Sequence, residues 1–218
     1  MNTRKLLLLA LVTCLISCDQ NQRNSQSAPE KDESENASVS RLEEEHALFK
    51  TGYADSVNSG LIVNDTFPGS ARREATASIG NCQVVVNYGS PGKRGRVLWN
   101  GLVSYDQVWV SGSHWATAVS FSEPVQIDDQ KIPAGTYGFF TIPGRETWTL
   151  ILNEHYDQHL AEEYQKDLDL VRLEVTPVVN EEVVQRLTYQ IIDSGEGAGV
   201  ISLSWDELEV RLPFQVLD

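Results

Sequence analysis

The chain has 218 residues, 41% of them hydrophobic, with 17 Lys and Arg against 31 Asp and Glu for a net charge of −14. That length fits one ordinary domain with extensions, or two small ones. The acidity excludes a general nucleic-acid binder, and 15 Gly, 8 Pro and 3 Cys exclude collagen-like and disulfide-framework classes.

Residues 1–17 read as a bacterial secretory signal. Arg4 and Lys5 precede an apolar run, Leu6 to Ile16, that is too short for a stable membrane span. The run ends in Leu15-Ile16-Ser17-Cys18, which resembles the lipobox of bacterial lipoproteins. That resemblance implies cleavage before Cys18 and lipidation of its thiol. Acyl chains at about 0.8 kcal/mol per buried CH₂ then anchor the protein to a membrane. The expected location is the cell envelope, facing the periplasm or the cell surface.

Residues 18–39 combine this Cys with a polar stretch devoid of aromatic residues, expected to be a disordered tether with a reach of roughly 25 Å. Ser40-Arg41-Leu42-Glu43 matches a capping box, so 40–66 is expected to hold a short helix to Lys50 and a connecting segment. Beyond the anchor only Cys82 remains as a thiol. A core rather than cross-links must hold the exported part together.

From 67 to 218 the dominant period is two. Strands are expected at Cys82–Tyr88, Gln107–Val110, Trp115–Phe121, Val125–Ile127, Thr136–Ile142, Trp148–Leu152, Val171–Val175 and Arg186–Ile192. Ile201–Trp205 and Leu208–Leu212 alternate on either side of Asp206-Glu207, which reads as the tight turn of a hairpin. Trp115 alternates onto the same side as Thr117, Val119 and Phe121, and Trp148 and Trp205 fall on apolar faces. One helix is expected at Asp157–Tyr164. The pattern predicts an all-β fold: a single antiparallel β-sandwich or jelly-roll-like domain of about ten strands with one short helix.

Several separated motifs occur in order. They are Asn87-Tyr88-Gly89-Ser90-Pro91-Gly92-Lys93-Arg94-Gly95-Arg96, Gly101-Leu102-Val103, Val108-Trp109, Ile132-Pro133-Ala134-Gly135-Thr136-Tyr137-Gly138-Phe139-Phe140 and Trp148-Thr149-Leu150-Ile151-Leu152-Asn153. Over roughly residues 75–212 the chain resembles the Domain of Unknown Function 2911 family of exported Bacteroidota lipoproteins. The resemblance implies fold and location but no chemistry. Many members carry Arg, Asn and Glu where this chain has Val110, His114 and Trp115. Any polar site built on those groups would have to be rebuilt here around His114.

Three sets of side chains could carry function. His114, His155, His159 and Glu163 could hold Zn²⁺ or another divalent metal, with His159 and Glu163 sharing one face of the expected helix. The spacing is not HExxH, and the competing reading is an acidic surface helix with no metal. Arg72, Arg73, Lys93, Arg94 and Arg96 stand out in so acidic a chain and could clamp a carboxylate or phosphate, or simply pair with nearby acids. Trp99, Tyr105 and Trp109 fall near loops, where exposed rings could stack on sugars or flat ligands, or pack inward as core.

No GxSxG elbow or phosphate-binding P-loop is present. The preferred expectation is noncatalytic: an anchored sandwich binding a small ligand, glycan or envelope protein, with no cofactor established. The alternatives are a metal-dependent hydrolase at the His/Glu set and a structural envelope-assembly factor.

Overall fold

A computed structural model describes residues 52–217. The signal segment, Cys18, the tether and the helix expected from Ser40 to Lys50 lie outside the described residues. Among the described residues, ten strands form two antiparallel sheets that do not close into a barrel. The six-stranded sheet contains β1 (Ala71–Ile79), β2 (Cys82–Ser90), β3 (Thr117–Phe121), β6 (Gly135–Ile142), β7 (Trp148–Asn153) and β8 (Asp169–Val175), hydrogen-bonded in that order. The four-stranded sheet runs β5 (Gln130–Ile132), β4 (Val125–Ile127), β10 (Ala198–Val216), β9 (Val178–Gly195).

The period-two pattern explains the core. Val84, Val86 and Tyr88 of β2, Val119 and Phe121 of β3, and Leu150 and Leu152 of β7 turn inward. They meet Leu187 and Tyr189 of β9 and Ile201, Leu203 and Trp205 of β10, forming one cluster between the sheets. Trp148 and Trp205 lie in it, as expected. The outward side of β6 and β7 carries a smaller cluster, in which Phe140 and Ile151 pack with Val110 and Ala116.

Four expectations are corrected. Asp206-Glu207 is no hairpin turn, because β10 continues through it and both halves pair with β9. Asp206 instead sits at φ 57° in an irregular stretch where β9 runs from Thr188 to Val179 while β10 runs only from Ser204 to Leu208. An ion pair from Lys93 fixes Asp206 there. The segment 157–164 is not helical. Leu160 has φ 57°, and a backbone bridge joins His159 to Trp115. Gln107–Val110 forms no strand beyond one bridge, Trp109 to Thr141. Trp115 does not face the core. His114 at φ 65° breaks the alternation, so β3 begins at Thr117 and Trp115 is half exposed.

The α-helix among the described residues is α1, Tyr53–Asn58, which buries Ala54 and Val57. It docks through Asn58, whose Nδ2 donates to the Arg186 carbonyl (2.9 Å) and whose Oδ1 accepts from the Arg186 amide (2.7 Å). Strand β9 is thereby shared. It pairs with β10, with α1 and, through Gly92 and Arg186, with the segment after β2.

Candidate functional site

A cleft of about 420 Å³ opens where the segment after β2 meets the loop before β3. Trp109, Val110 and Trp205 line it together with Leu102 and Val103. Arg94 and Arg96 stand on it, as do Ser113, His114 and Leu160. This size falls within the range of small-molecule sites.

Local backbone conformation explains how these residues converge. Arg94, His114 and Leu160 all have positive φ (46°, 65° and 57°) although none is glycine. Such conformations cost roughly 1–3 kcal/mol each and persist where the surroundings over-determine them. Here the surroundings are visible. Leu160 N donates to the His114 carbonyl at 2.7 Å, and Ala116 N to the Gln158 carbonyl at 3.0 Å. Gly89 allows the loop before β3 to lie against β2, since a Cβ there would stand 2.5 Å from the Ser113 carbonyl oxygen.

Beneath the cleft four indoles interlock. Trp109 stacks on Trp205 at 5.9 Å with rings 22° apart, and Trp99 meets Trp148 edge-on at 4.8 Å. The Trp109 Nε1–H donates to the Gly112 carbonyl at 3.1 Å. The indole N–H groups of Trp99, Trp148 and Trp205 are buried without a partner, and of these three only Trp205 lines the cleft.

The arginines of the cleft differ from Arg73 and Lys93, the basic residues that are ion-paired nearby. Arg96 is held by the backbone, its Nη2 donating to the Gly92 carbonyl at 2.5 Å and its Nε to the Lys93 carbonyl at 3.2 Å. Burial first, and then the neighbouring Arg94 charge, pull the Arg96 guanidinium below its ordinary value, opposed by Asp65. Among the described residues no carboxylate forms an ion pair with Arg94 or Arg96. Arg73 pairs with Asp55 at 2.6 Å and Lys93 with Asp206, which gives both a structural role. Arg72 donates through Nε to Asn87 Oδ1 at 2.8 Å.

Of the residues singled out in the sequence, the cleft therefore gathers Arg94, Arg96, Trp109 and His114. Trp99 packs on the core instead, and Tyr105 lies under the Arg145 guanidinium at 5.4 Å. The four-residue metal set does not assemble. His114 and His159 approach, with ring centroids 6.3 Å apart, but among the described residues no three His, Cys, Asp or Glu side chains converge as a metal site requires. The physical reason is the missing helix, which was to bring His159 and Glu163 onto one face. Ser113, Leu160 and Trp205 were not foreseen as cleft residues. Only Trp205 had a signal, its place on the apolar face of a strand.

These features define an open two-sheet antiparallel β-sandwich with a cationic cleft floored by indole rings. The chain belongs to the family described as protein of unknown function (DUF2911), which matches residues 70–214. No curated protein and no solved structure matches it.

Proposed function

We propose that this protein is a lipid-anchored domain of the bacterial envelope that binds a small acidic ligand, without catalysis, in the cleft. The lipobox-like segment ending at Cys18 supports the anchor. The observation that carries the binding reading is the pair Arg94 and Arg96, cations free of ion-paired carboxylates beside a cleft in a chain of net charge −14. The two guanidiniums can only donate, which matches a group that only accepts, such as a carboxylate or phosphate. Trp109 and Leu102 offer apolar surface for the rest of the ligand.

The test is a thermal-unfolding series on the full chain in detergent, with indole-3-acetate and phenyl phosphate against the neutral indole-3-acetamide. The acids are expected to raise the midpoint, and the Arg94→Ala, Arg96→Ala double variant to lose that rise. Equal stabilisation by the amide, no stabilisation by the acids, or a rise that survives in the double variant would overturn the reading.

A further inference from the structure

The outward face of the six-stranded sheet carries a second hollow, of about 310 Å³, distinct from the cleft. Its floor is Val85, Asn87, Ala118, Ser120 and Thr136, and its walls include Trp115, Tyr156 and Arg72. Strand β3 alternates large inward residues with small outward ones, Ala118 and Ser120, so the floor is recessed. Farther along the sheet, β8 presents Arg172 and Glu174 between its inward positions.

Two aromatic rings stand over this recess. Trp115 is 50% exposed and Tyr156 is 44% exposed, the only aromatic side chains among the large exposed hydrophobics of the described residues. Their bases are fixed. The His159 ring meets Trp115 edge-on at 5.4 Å, and Ala116 N donates to the Gln158 carbonyl. Tyr156 is seated directly on the sheet, because β6 has Gly138 beneath it and a Cβ there would lie 3.2 Å from the Tyr156 Cα. Rings with fixed bases and open faces bind at low entropic cost.

The polar groups around the hollow are mixed in kind. Asn87 uses Oδ1 to accept from Arg72, which leaves its amide N–H₂ to donate. Ser120 and Thr136 share one hydrogen bond of 2.8 Å between hydroxyls that keep further capacity. Asp157 adds a carboxylate acceptor at the rim. Arg72, the cation of the wall, spends its donors on Asn87 Oδ1 and on the carbonyls of Asn87 and Trp115, and Asp157 offsets its charge, so the set is neutral overall and does not favour an anion. It suits a ligand whose hydroxyls both donate and accept and whose C–H face is apolar.

We propose that this hollow is a binding site for a neutral saccharide, its ring lying against Trp115 and Tyr156 and its hydroxyls meeting Asn87, Ser120, Thr136 and Asp157. The proposal is independent of the acidic-ligand cleft, since the two sites share no lining residue.

The experiment titrates cellohexaose, maltohexaose and hexa-N-acetylchitohexaose into the full chain in detergent, read by tryptophan fluorescence and by saturation transfer to the sugar C–H protons. At least one of the three is expected to bind. Trp115→Ala and Tyr156→Ala should each weaken it at least tenfold, while the Arg94→Ala, Arg96→Ala double variant binds it unchanged. Ala118→Gln fills an outward sheet position and is expected to abolish binding with the circular-dichroism spectrum intact, so a misfolded tryptophan variant would not blunt the test. Failure of all three sugars, or binding that tracks the cleft arginines, would overturn the proposal. So would a dimer by light scattering that dissociates on Trp115→Ala, which would give the rings to a second copy of the chain.

Discussion

Arg186 and Arg94 are the same side chain in opposite circumstances. Arg186 is 1% exposed and almost fully engaged. Its Nη1 donates to the carbonyls of Gly69 and Ser90 (3.1 Å each), and its Nη2 to the Phe67 carbonyl and to Asp65 Oδ1 (2.7 Å each). The rings of Tyr53 and Phe67 flank it, each 5.1 Å from the guanidinium carbon. It clasps the segment before β1, the end of β2 and strand β9 into one corner. Arg94 lines the cleft with no ion-paired carboxylate. A buried guanidinium with all four Nη hydrogens spent is architecture, and one with its donors free is available to a ligand.

The comparison breaks first at the buried corner. Arg186→Met should destabilise the fold by about 3–5 kcal/mol in urea denaturation, because it strands the Asp65 carboxylate in the interior. Asp65 is the reason, so Arg186→Met with Asp65→Asn should recover a measurable part of the loss. If the double variant is no more stable than the single, the cost lies in the backbone contacts and not in the unpaired charge.

Gly89 tests the scaffold that holds the other side of the comparison. A methyl at this position must move the Ser113 carbonyl, which lies 2.5 Å from the Cβ site. Gly89→Ala should therefore cost about 1–3 kcal/mol, as overpacking of a tight contact does. It should also displace Ser113 and His114 from the cleft and so weaken the acidic ligand. Because His159 packs on both His114 and Trp115, the saccharide site should weaken too, though less.

How much of this was legible in the sequence follows from which forces act locally. Strands such as β3 from Thr117 onward and β4 were readable because inward and outward residues alternate in them without interruption. Strands β6 and β7 are buried on both faces and were readable instead as apolar, β-branched and aromatic runs. Strand β1 was not, since Ala71–Ile79 is an edge strand of small and charged residues with little apolar alternation. The cleft was half legible. Arg94, Arg96, Trp109 and His114 stood out by composition, but their convergence depends on positive-φ residues, whose conformation is imposed by tertiary contacts. The apparent hairpin at Asp206 failed for a related reason. Polar residues between two alternating runs mark a turn or a bulge equally well, and pairing with β9 decides for the bulge.

Tyr164 offers a case between the two arginines, well partnered but near the surface. Its hydroxyl donates to Asp169 Oδ2 at 2.5 Å and accepts from Arg172 Nη1 at 3.0 Å. Burial first, then the Asp169 hydrogen bond, push this phenol up to about 12 from an ordinary 10. The folded chain thus holds the proton more tightly than the unfolded one. The resulting stability is complete below pH 10 and is lost as pH rises through 12. Tyr164→Phe should cost about 1 kcal/mol at pH 7 and should flatten the decline in unfolding midpoint between pH 10 and 12. An unchanged alkaline slope would mean that burial and Asp169 together do not hold the proton on Tyr164.

The smallest expected effect on stability carries the most about function. Arg94 adopts φ 46° and makes none of the hydrogen bonds that anchor Arg96. Replacing it should shift unfolding by less than about 0.5 kcal/mol, as surface substitutions do. A charge-assisted hydrogen bond to a bound anion is worth roughly 1.5–3 kcal/mol, so the same substitution should weaken an acidic ligand about tenfold or more. Arg94→Lys separates charge from geometry. Lysine keeps the charge but loses the planar fork, so a carboxylate held by two parallel N–H bonds should regain only part of its affinity. Full recovery with lysine would mean that the cleft reads charge alone. A large loss of stability in Arg94→Ala would instead make Arg94 a second structural clasp, and the contrast with Arg186 would fall.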